Sequence, residues 1–284
     1  RERGNSLPGL PGAMSPATFP AGACDTHMHF YDGSFPVAPD AVLRPPDATV
    51  DDYRPVQRAL GLERLVVVQP TTYGLDNRCQ LAAMAAFGEK ARGVMVIDAS
   101  TDIAELERLT TLGVRGARFH MLPGGAVGWE HLETVAERIA GLGWHIQLQL
   151  NGRELTERLP RLMALPTPLV VDHVGRFMPP VPPSAPEFAA LLTLIETGRT
   201  WVKLSAPYES SPAGGPDYTD VAPLISELTT RAPDRLLWAS NWPHPGQADP
   251  PDTEQLGTLA QRWLPEKSLR QRVLVDNPAV LYDF

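Results

Sequence analysis

Cysteine and long apolar runs are both scarce in this chain. Its two cysteines among 284 residues, Cys24 and Cys79, cannot build a disulfide framework, and their spacing is not that of a zinc finger. No apolar run approaches the roughly 18–20 residues of a membrane-spanning helix. Thirty-three acidic residues outweigh 25 basic ones, for a net charge of −8, and no lysine or arginine block offsets them. We therefore expect neither a membrane span nor a nucleic-acid-binding protein.

The chain is organised as one large unit with a short leading segment. Residues 1–22 are rich in Gly, Pro and Ala and lack the apolar core of an intact signal peptide. We expect 1–22 to be an N-terminal extension and 23–284 to be a single domain. A cytoplasmic location is expected, with a cleaved export signal left open. Thirty prolines, many of them in pairs such as Pro45-Pro46, indicate ordered loops.

Eight short apolar or β-branched runs alternate with helical patterns, which predicts an α/β protein. Near-continuous apolar segments are typical of parallel strands that are buried on both faces. Eight such units favour a closed (β/α)8 barrel, known as a TIM barrel, over an open doubly wound sheet, because no glycine-rich fingerprint follows the first strand. The predicted strands are Cys24–Phe30, Arg64–Gln69, Gly93–Asp98, Gly116–Met121, His145–Leu150, Leu169–Val174, Trp201–Ala206 and Leu236–Trp242.

Polar side chains cluster where these strands end, which is where a barrel of this kind carries its chemistry. Strand alternation places His27 and His29 on one side, with Met28 opposite. A single histidine is as often structural as catalytic, but convergence on one face favours a functional site. The further candidates are Arg118, His120, Gln147, Gln149, His173, Arg176, Lys203, Tyr208, Asn241 and His244.

Three segments resemble the amidohydrolase superfamily: Asp25–His29, Asp172–Arg176 and Trp238–His244. More narrowly they resemble its lactone-processing branch, which includes D-galactarolactone isomerases, 2-pyrone-4,6-dicarboxylate lactonases and 4-sulfomuconolactone hydrolases. Gln149 and Asn241 fit the isomerase pattern, whereas His27 and the Val174-Gly175-Arg176 segment fit the lactonase pattern. The resemblance implies an enzyme whose partner is a small carboxylated lactone.

A metal ion is not expected, although zinc is a possible alternative. Strand 4 offers neither lysine nor glutamate, strand 5 offers glutamines, and Asn241 stands where the superfamily has a metal-binding aspartate. If zinc were bound, we expect its ligands to be His27, His29 and His173. The lactone-processing members that the chain resembles are metal-independent.

The resemblance, together with side-chain chemistry, implies a role for each candidate. Arg118 and Arg176 suit a substrate carboxylate, and Gln149 and Tyr208 suit substrate hydroxyls. His27, His29 and His173 would polarise the ester carbonyl and supply a general base. Asn241 would orient a hydroxyl of the lactone itself, which favours isomerisation over hydrolysis. Lactone hydrolysis, decarboxylation and a catalytically silent sugar-acid-binding barrel remain alternatives.

Overall fold

A computed structural model describes residues 18–284 and confirms the predicted TIM barrel. Eight parallel strands follow one another around a single sheet in sequence order. They are β1 Cys24–Met28, β2 Arg64–Val68, β3 Ala91–Met95, β4 Val114–His120, β5 His145–Gln149, β6 Leu169–Val171, β7 Thr200–Leu204 and β8 Leu236–Trp238. Of the predicted N-terminal extension, residues 1–17 lie outside the described part of the chain. Phe19, in the remainder, packs edge-to-face on Trp238 with ring centroids 4.8 Å apart.

Ten α-helices surround the sheet in the described residues. Each major helix buries an apolar stripe against it, as α4 does with Leu132, Val135 and Ile139. Aspartates cap two helix starts: Asp102 accepts from the backbone of Glu105, and Asp252 from that of Glu254. The helices are α1 Val50–Leu60, α2 Arg78–Ala85, α3 Ile103–Thr111, α4 Leu132–Ala140, α5 Leu155–Met163, α6 Pro186–Glu196, α7 Ala222–Arg231, α8 Thr253–Trp263, α9 Lys267–Gln271 and α10 Asn277–Tyr282. Within residues 18–284 no helix combines the length and apolar character that a bilayer crossing requires.

Contacts between the two ends of the sheet close the barrel. The backbone N–H of Asn241 donates to the His27 carbonyl over 2.9 Å, and that of His29 donates to the Trp242 carbonyl over 2.9 Å. Asp25 reinforces this seam, because its carboxylate accepts from the backbone N–H and the hydroxyl of Ser240. The seam holds the polar ends of β1 and β8 next to each other.

A β-bulge in β1 turns the histidines toward the barrel interior. The pairing of β1 with β2 shifts by one residue between Asp25 and Met28. Cys24 packs with the apolar cluster enclosed by the strands, whereas Met28 packs with the outer cluster between strands and helices. Strict alternation from Cys24 would have turned Met28 inward, so the bulge is what brings His27 and His29 to the inside.

Strands β6 and β8 end earlier than the sequence predicts. His173, Val174 and Arg176 have φ angles of 53°, 57° and 47°, and Asn241 has a φ of 57°. These values belong to the left-handed region, which ends an extended strand and is costly for a β-branched residue such as Val174. The predicted site residues His173 and Asn241 therefore lie on tight turns just beyond their strands.

Candidate active site

A cavity of about 340 Å³ opens at the carboxyl ends of the strands. Val42 and Leu43 from the loop between β1 and α1 cover part of it. The Thr72 hydroxyl holds that loop by donating to the Leu43 carbonyl over 2.7 Å. The structure brings six of the eight predicted site residues to the cavity wall: His29, Arg118, Gln149, His173, Arg176 and Asn241.

His29 is held as a neutral imidazole with a defined tautomer. Its Nδ1–H donates to the Val68 carbonyl over 2.7 Å, so the lone pair is on Nε2. Burial, and then the positive charge of Arg118, lowers the pKa of His29 to about 3. This residue is therefore a proton acceptor with a fixed orientation in the cavity wall.

His173 is the second imidazole of the wall. Its Nδ1 lies 2.8 Å from the Ser205 hydroxyl oxygen, and its ring centroid is 4.9 Å from that of His27. Burial lowers the pKa of His173 well below its usual value, although Asp172 opposes the shift. If Ser205 donates to Nδ1, the ring proton lies on Nε2, where it can be donated to a substrate oxygen.

His27 lies beneath the cavity, fully buried in a polar layer that encloses a lysine. The Lys203 ammonium donates to the Thr26 carbonyl over 2.6 Å and to Gln147 Oε1 over 2.8 Å, and lies 3.3 Å from His27 Nδ1. Asp172 Oδ1 lies 3.5 Å from the same His27 nitrogen and 3.9 Å from the ammonium. Burial, followed by the charge of Lys203, holds the pKa of His27 well below its usual value. His27 therefore packs beneath His29 and His173, with its ring centroid 4.9 Å from each of theirs.

Arg118 presents to the cavity a positive charge that has no hydrogen-bonded carboxylate partner, although Asp172 and Glu209 act on it from a distance. Its two terminal nitrogens donate to the Gln69 carbonyl over 2.7 Å and to Gln149 Oε1 over 3.0 Å. Among residues 18–284 no carboxylate pairs with it, and its side chain is buried. Both contacts are neutral acceptors, so they fix the guanidinium plane without cancelling its charge.

Arg176 differs from Arg118 because it already has an acidic partner. Its Nη2 donates to Glu209 Oε2 over 2.9 Å, and the two side chains are 14% and 15% exposed. Burial raises the pKa of Glu209, and the Arg176 charge opposes that rise. Glu209 also lines the cavity.

Asn241 belongs to a chain of hydrogen bonds that runs away from the cavity. Its Nδ2 donates to the Tyr208 hydroxyl over 2.9 Å, and that oxygen lies 2.7 Å from His244 Nδ1. His244 Nε2 lies 2.8 Å from the Thr253 hydroxyl oxygen. Tyr208, predicted to bind substrate hydroxyls, thus lies behind Asn241, outside the residues that form the cavity wall.

Four residues of the candidate active site have no role assigned to them from the sequence: His120, Glu209, Lys203 and His244. His120 shares an inward face with Arg118 two residues earlier, a signal that the alternation of β4 already contains. Glu209 is adjacent to Tyr208 in sequence, but nothing in the pattern indicates its ion pair with Arg176. Lys203 lies on a predicted strand, and its place beneath the cavity follows only from the three-dimensional packing.

Comparison with known proteins agrees with this geometry. The sequence profile of an amidohydrolase family matches residues 24–284. The chain is 39% identical to a D-galactarolactone isomerase from Agrobacterium fabrum, over 96% of this chain and 95% of that one. It is 37% identical to a 2-pyrone-4,6-dicarboxylate hydrolase from Comamonas testosteroni, over 93% and 90% of the two chains. A ligand-free crystal structure from Agrobacterium tumefaciens superposes with a TM-score of 0.89 at 39% identity, covering 94% of this chain and 97% of that one.

The polar layer suits a divalent metal poorly. A Burkholderia multivorans amidohydrolase solved with zinc shares the fold, at 19% identity and a TM-score of 0.68 over 93% of this chain and 100% of that one. In the described residues the closest potential ligand set is His27, Asp172 and His173, with ligand atoms within 4.8 Å of one another. Asp172 thus takes the place that the sequence assigned to His29. The Lys203 ammonium already lies beside His27 and Asp172, so a second cation there would be repelled.

Proposed function

The chain belongs to the amidohydrolase family of enzymes, and from this premise we propose that it isomerises a carboxylated sugar-acid lactone without a metal ion. The observation that carries the proposal is Asn241, an uncharged amide held in one orientation on the turn after β8, in the same cavity wall as the neutral histidines His29 and His173. The relatives named above act on lactones by isomerisation or by hydrolysis, which supports the substrate class for this chain.

Substrate binding rests on the cavity size and on its arginines. A volume of about 340 Å³ lies at the small end of the range for small-molecule sites and suits the lactone of a six-carbon sugar acid with its hydroxyls. Arg118 supplies the free positive charge for a carboxylate, while the amide of Gln149 lines the same wall for hydroxyls. Anchoring the ring in this way places its ester carbonyl among the histidines.

The reaction is an internal ester exchange. A ring hydroxyl of the substrate gives its proton to His29 Nε2 and attacks the ester carbonyl, which forms a tetrahedral oxyanion. His173 Nε2–H, in the tautomer where Ser205 donates to Nδ1, stabilises that oxyanion. The ring oxygen then leaves and receives the proton from His29. The six-membered lactone becomes a five-membered one, and neither water nor an added reagent is consumed.

Substrate binding also strengthens the base. Arg118 is the second cause of the low pKa of His29, after burial. A bound carboxylate offsets the Arg118 charge, so the pKa of His29 rises when the substrate is present. The imidazole thus becomes a better proton acceptor only in the complex.

Asn241 favours a tethered hydroxyl over water as the nucleophile. An attacking water has to be bound, oriented and deprotonated, which suits a carboxylate. A hydroxyl on the substrate is already close to the carbonyl, and such tethering reaches effective concentrations of about 10⁵ M or more. Because the attacking hydroxyl gives its one hydrogen to His29, the Asn241 amide oxygen accepts from a neighbouring hydroxyl of the ring and so holds the attacking one in place.

Lactone hydrolysis is the second candidate. The complete His27 and His29 pair and the Val174-Gly175-Arg176 turn match the lactonase pattern, and the 37% identical relative is a hydrolase. In this alternative, His29 would deprotonate a water instead of a substrate hydroxyl. The two reactions share the same cavity and differ in the nucleophile.

The test is to follow D-galactaro-1,5-lactone by NMR with enzyme that has been treated with a chelator. We expect the 1,4-lactone to form before the open-chain acid and at a rate proportional to enzyme. Formation of the open-chain acid as the first enzymatic product would support hydrolysis instead. No turnover of any lactone in a small panel would support a silent binding barrel.

A further inference from the structure

The wall of the cavity carries an uneven set of charges. Of the described residues that form it, Arg118, Arg176 and Glu209 are charged. Burial is the main reason that the pKa values of His29 and His120 lie at about 3 and that the pKa of His173 lies well below its usual value, so all three wall imidazoles are neutral. Two cations and one anion leave one net positive charge facing the ligand.

Glu209 pairs directly with Arg176, whereas its charge acts on Arg118 without a hydrogen bond. Its Oε2 accepts from Arg176 Nη2 over 2.9 Å, whereas Arg118 donates only to the neutral oxygens of Gln69 and Gln149. A guanidinium has five N–H donors, so Arg176 can still donate to a substrate hydroxyl after pairing with Glu209. The two arginines are therefore not equivalent: Arg118 acts as a cation, and Arg176 acts as a neutral pair with Glu209.

We propose that Glu209 is a specificity-determining residue that selects ligands with one carboxylate against those with two. The inference rests on the proposed function, because it specifies the substrate class of that same cavity. A single carboxylate matches the free charge of Arg118. A second carboxylate on the ring would lie in a wall where Glu209 already neutralises Arg176. This carboxylate would be desolvated on binding without an unpaired arginine to compensate it.

The test measures the binding of two inert rings, benzoate with one carboxylate and isophthalate with two, by calorimetry at neutral pH. We expect the wild-type protein to bind benzoate at least as tightly as isophthalate. Glu209→Gln frees Arg176, and isophthalate should then gain about tenfold in affinity relative to benzoate, which corresponds to about 1.4 kcal/mol. Glu209→Asp keeps the charge and should leave the ratio near its wild-type value. An unchanged ratio in Glu209→Gln would overturn the proposal.

A charge-restoring pair separates this role from a structural one. Arg176→Gln leaves Glu209 unpaired and brings the net charge of the wall to zero, so benzoate should bind at least about tenfold more weakly. The double variant Arg176→Gln with Glu209→Gln returns the net charge to one, and benzoate affinity should recover. Failure to recover in a folded double variant would contradict the charge-matching account. Because the probes do not react, the result is independent of whether the enzyme isomerises or hydrolyses lactones.

Discussion

The amide of Asn241 donates its Nδ2 hydrogen to the Tyr208 hydroxyl over 2.9 Å. The Tyr208 hydroxyl has one hydrogen of its own, and His244 Nδ1, 2.7 Å away, accepts it. Burial lowers the pKa of His244 to about 4, so its remaining proton is on Nε2, which donates to the Thr253 hydroxyl over 2.8 Å. Each hydrogen bond in this series is donated away from the cavity. Asn241 Oδ1 is therefore the acceptor that remains available to a substrate hydroxyl.

Replacing Asn241 with aspartate should shift the reaction toward hydrolysis. A carboxylate can accept a proton from water, which the amide cannot. The hydrogen bonds among residue 241, Tyr208 and His244 can reverse direction, so that Tyr208 donates to the introduced carboxylate. We expect the ratio of open-chain acid to isomerised lactone to rise about tenfold or more, the scale of one general base group. NMR product ratios measure this, with Asn241→Ala as the control that removes the amide without adding a charge. The same ratio in all three proteins would show that position 241 does not choose the nucleophile.

Tyr208 should act as a positioning residue for Asn241. In Tyr208→Phe the amide loses its acceptor and can rotate, so kcat should fall by about tenfold while KM stays within about twofold. Combining it with Asn241→Ala should cost little more than Asn241→Ala alone, because both remove the same oriented oxygen. Tyr282→Phe, which removes a hydroxyl at the opposite end of the barrel, is the matched control and should keep wild-type kcat. Additive losses would mean that Tyr208 acts independently, for example by binding substrate directly.

Lys203 should keep divalent metals out of the polar layer. The purified wild-type enzyme should contain well under one equivalent of zinc and should keep its activity after treatment with a chelator. Lys203→Met leaves Asp172 buried without its cation, which should cost about 3–5 kcal/mol of stability. Added zinc should then raise the Tm of this variant and not that of the wild type. Stoichiometric zinc in the wild type, with activity lost on chelation, would contradict the metal-free account.

The sequence predicts the architecture and most of the cavity because both follow from local periodicity. Eight strands are expected and eight are present, and the common face of His27 and His29 follows from alternation. Alternation alone would not have turned that face inward, since this depends on the bulge between Asp25 and Met28. Similarly, the left-handed turns at His173 and Asn241 shorten two strands. Asn and His adopt that region more readily than most residues, but the apolar residues Val174 and Trp242 beyond them make the strands look longer in the sequence.

Which residues far apart in the chain pair with each other could not be predicted from the sequence. Arg176 and Glu209 are 33 positions apart, and only the packing of the β6 and β7 ends shows that one neutralises the other. The burial of Lys203 beneath the histidines likewise depends on which inward residues share a layer. Tyr208 is expected in the cavity because its hydroxyl suits a sugar, but that hydroxyl is already engaged by Asn241 and His244.

Acid should destabilise the fold through its buried neutral histidines. Burial lowers the pKa values of His29, His120 and His145 to about 3, against an ordinary value near 6.5. Between those limits the unfolded chain binds more protons, so stability is complete above about pH 6.5 and falls as the pH drops toward about 3. Each such histidine contributes up to about 1.4 kcal/mol per pH unit. His145→Leu removes one such group far from the cavity. Urea unfolding at several pH values should therefore show that the free energy of unfolding depends less steeply on pH in this variant than in the wild type. An equally steep dependence in both proteins would contradict the account.

The most direct measurement of the proposed reaction is the fate of labelled water. D-Galactaro-1,5-lactone would be converted by the enzyme in H₂¹⁸O, and the product 1,4-lactone examined by mass spectrometry early in the reaction. Attack by a hydroxyl that belongs to the substrate predicts a product without ¹⁸O, since no water enters the ester. A 1,4-lactone that carries ¹⁸O, or only labelled open-chain acid, would contradict the account.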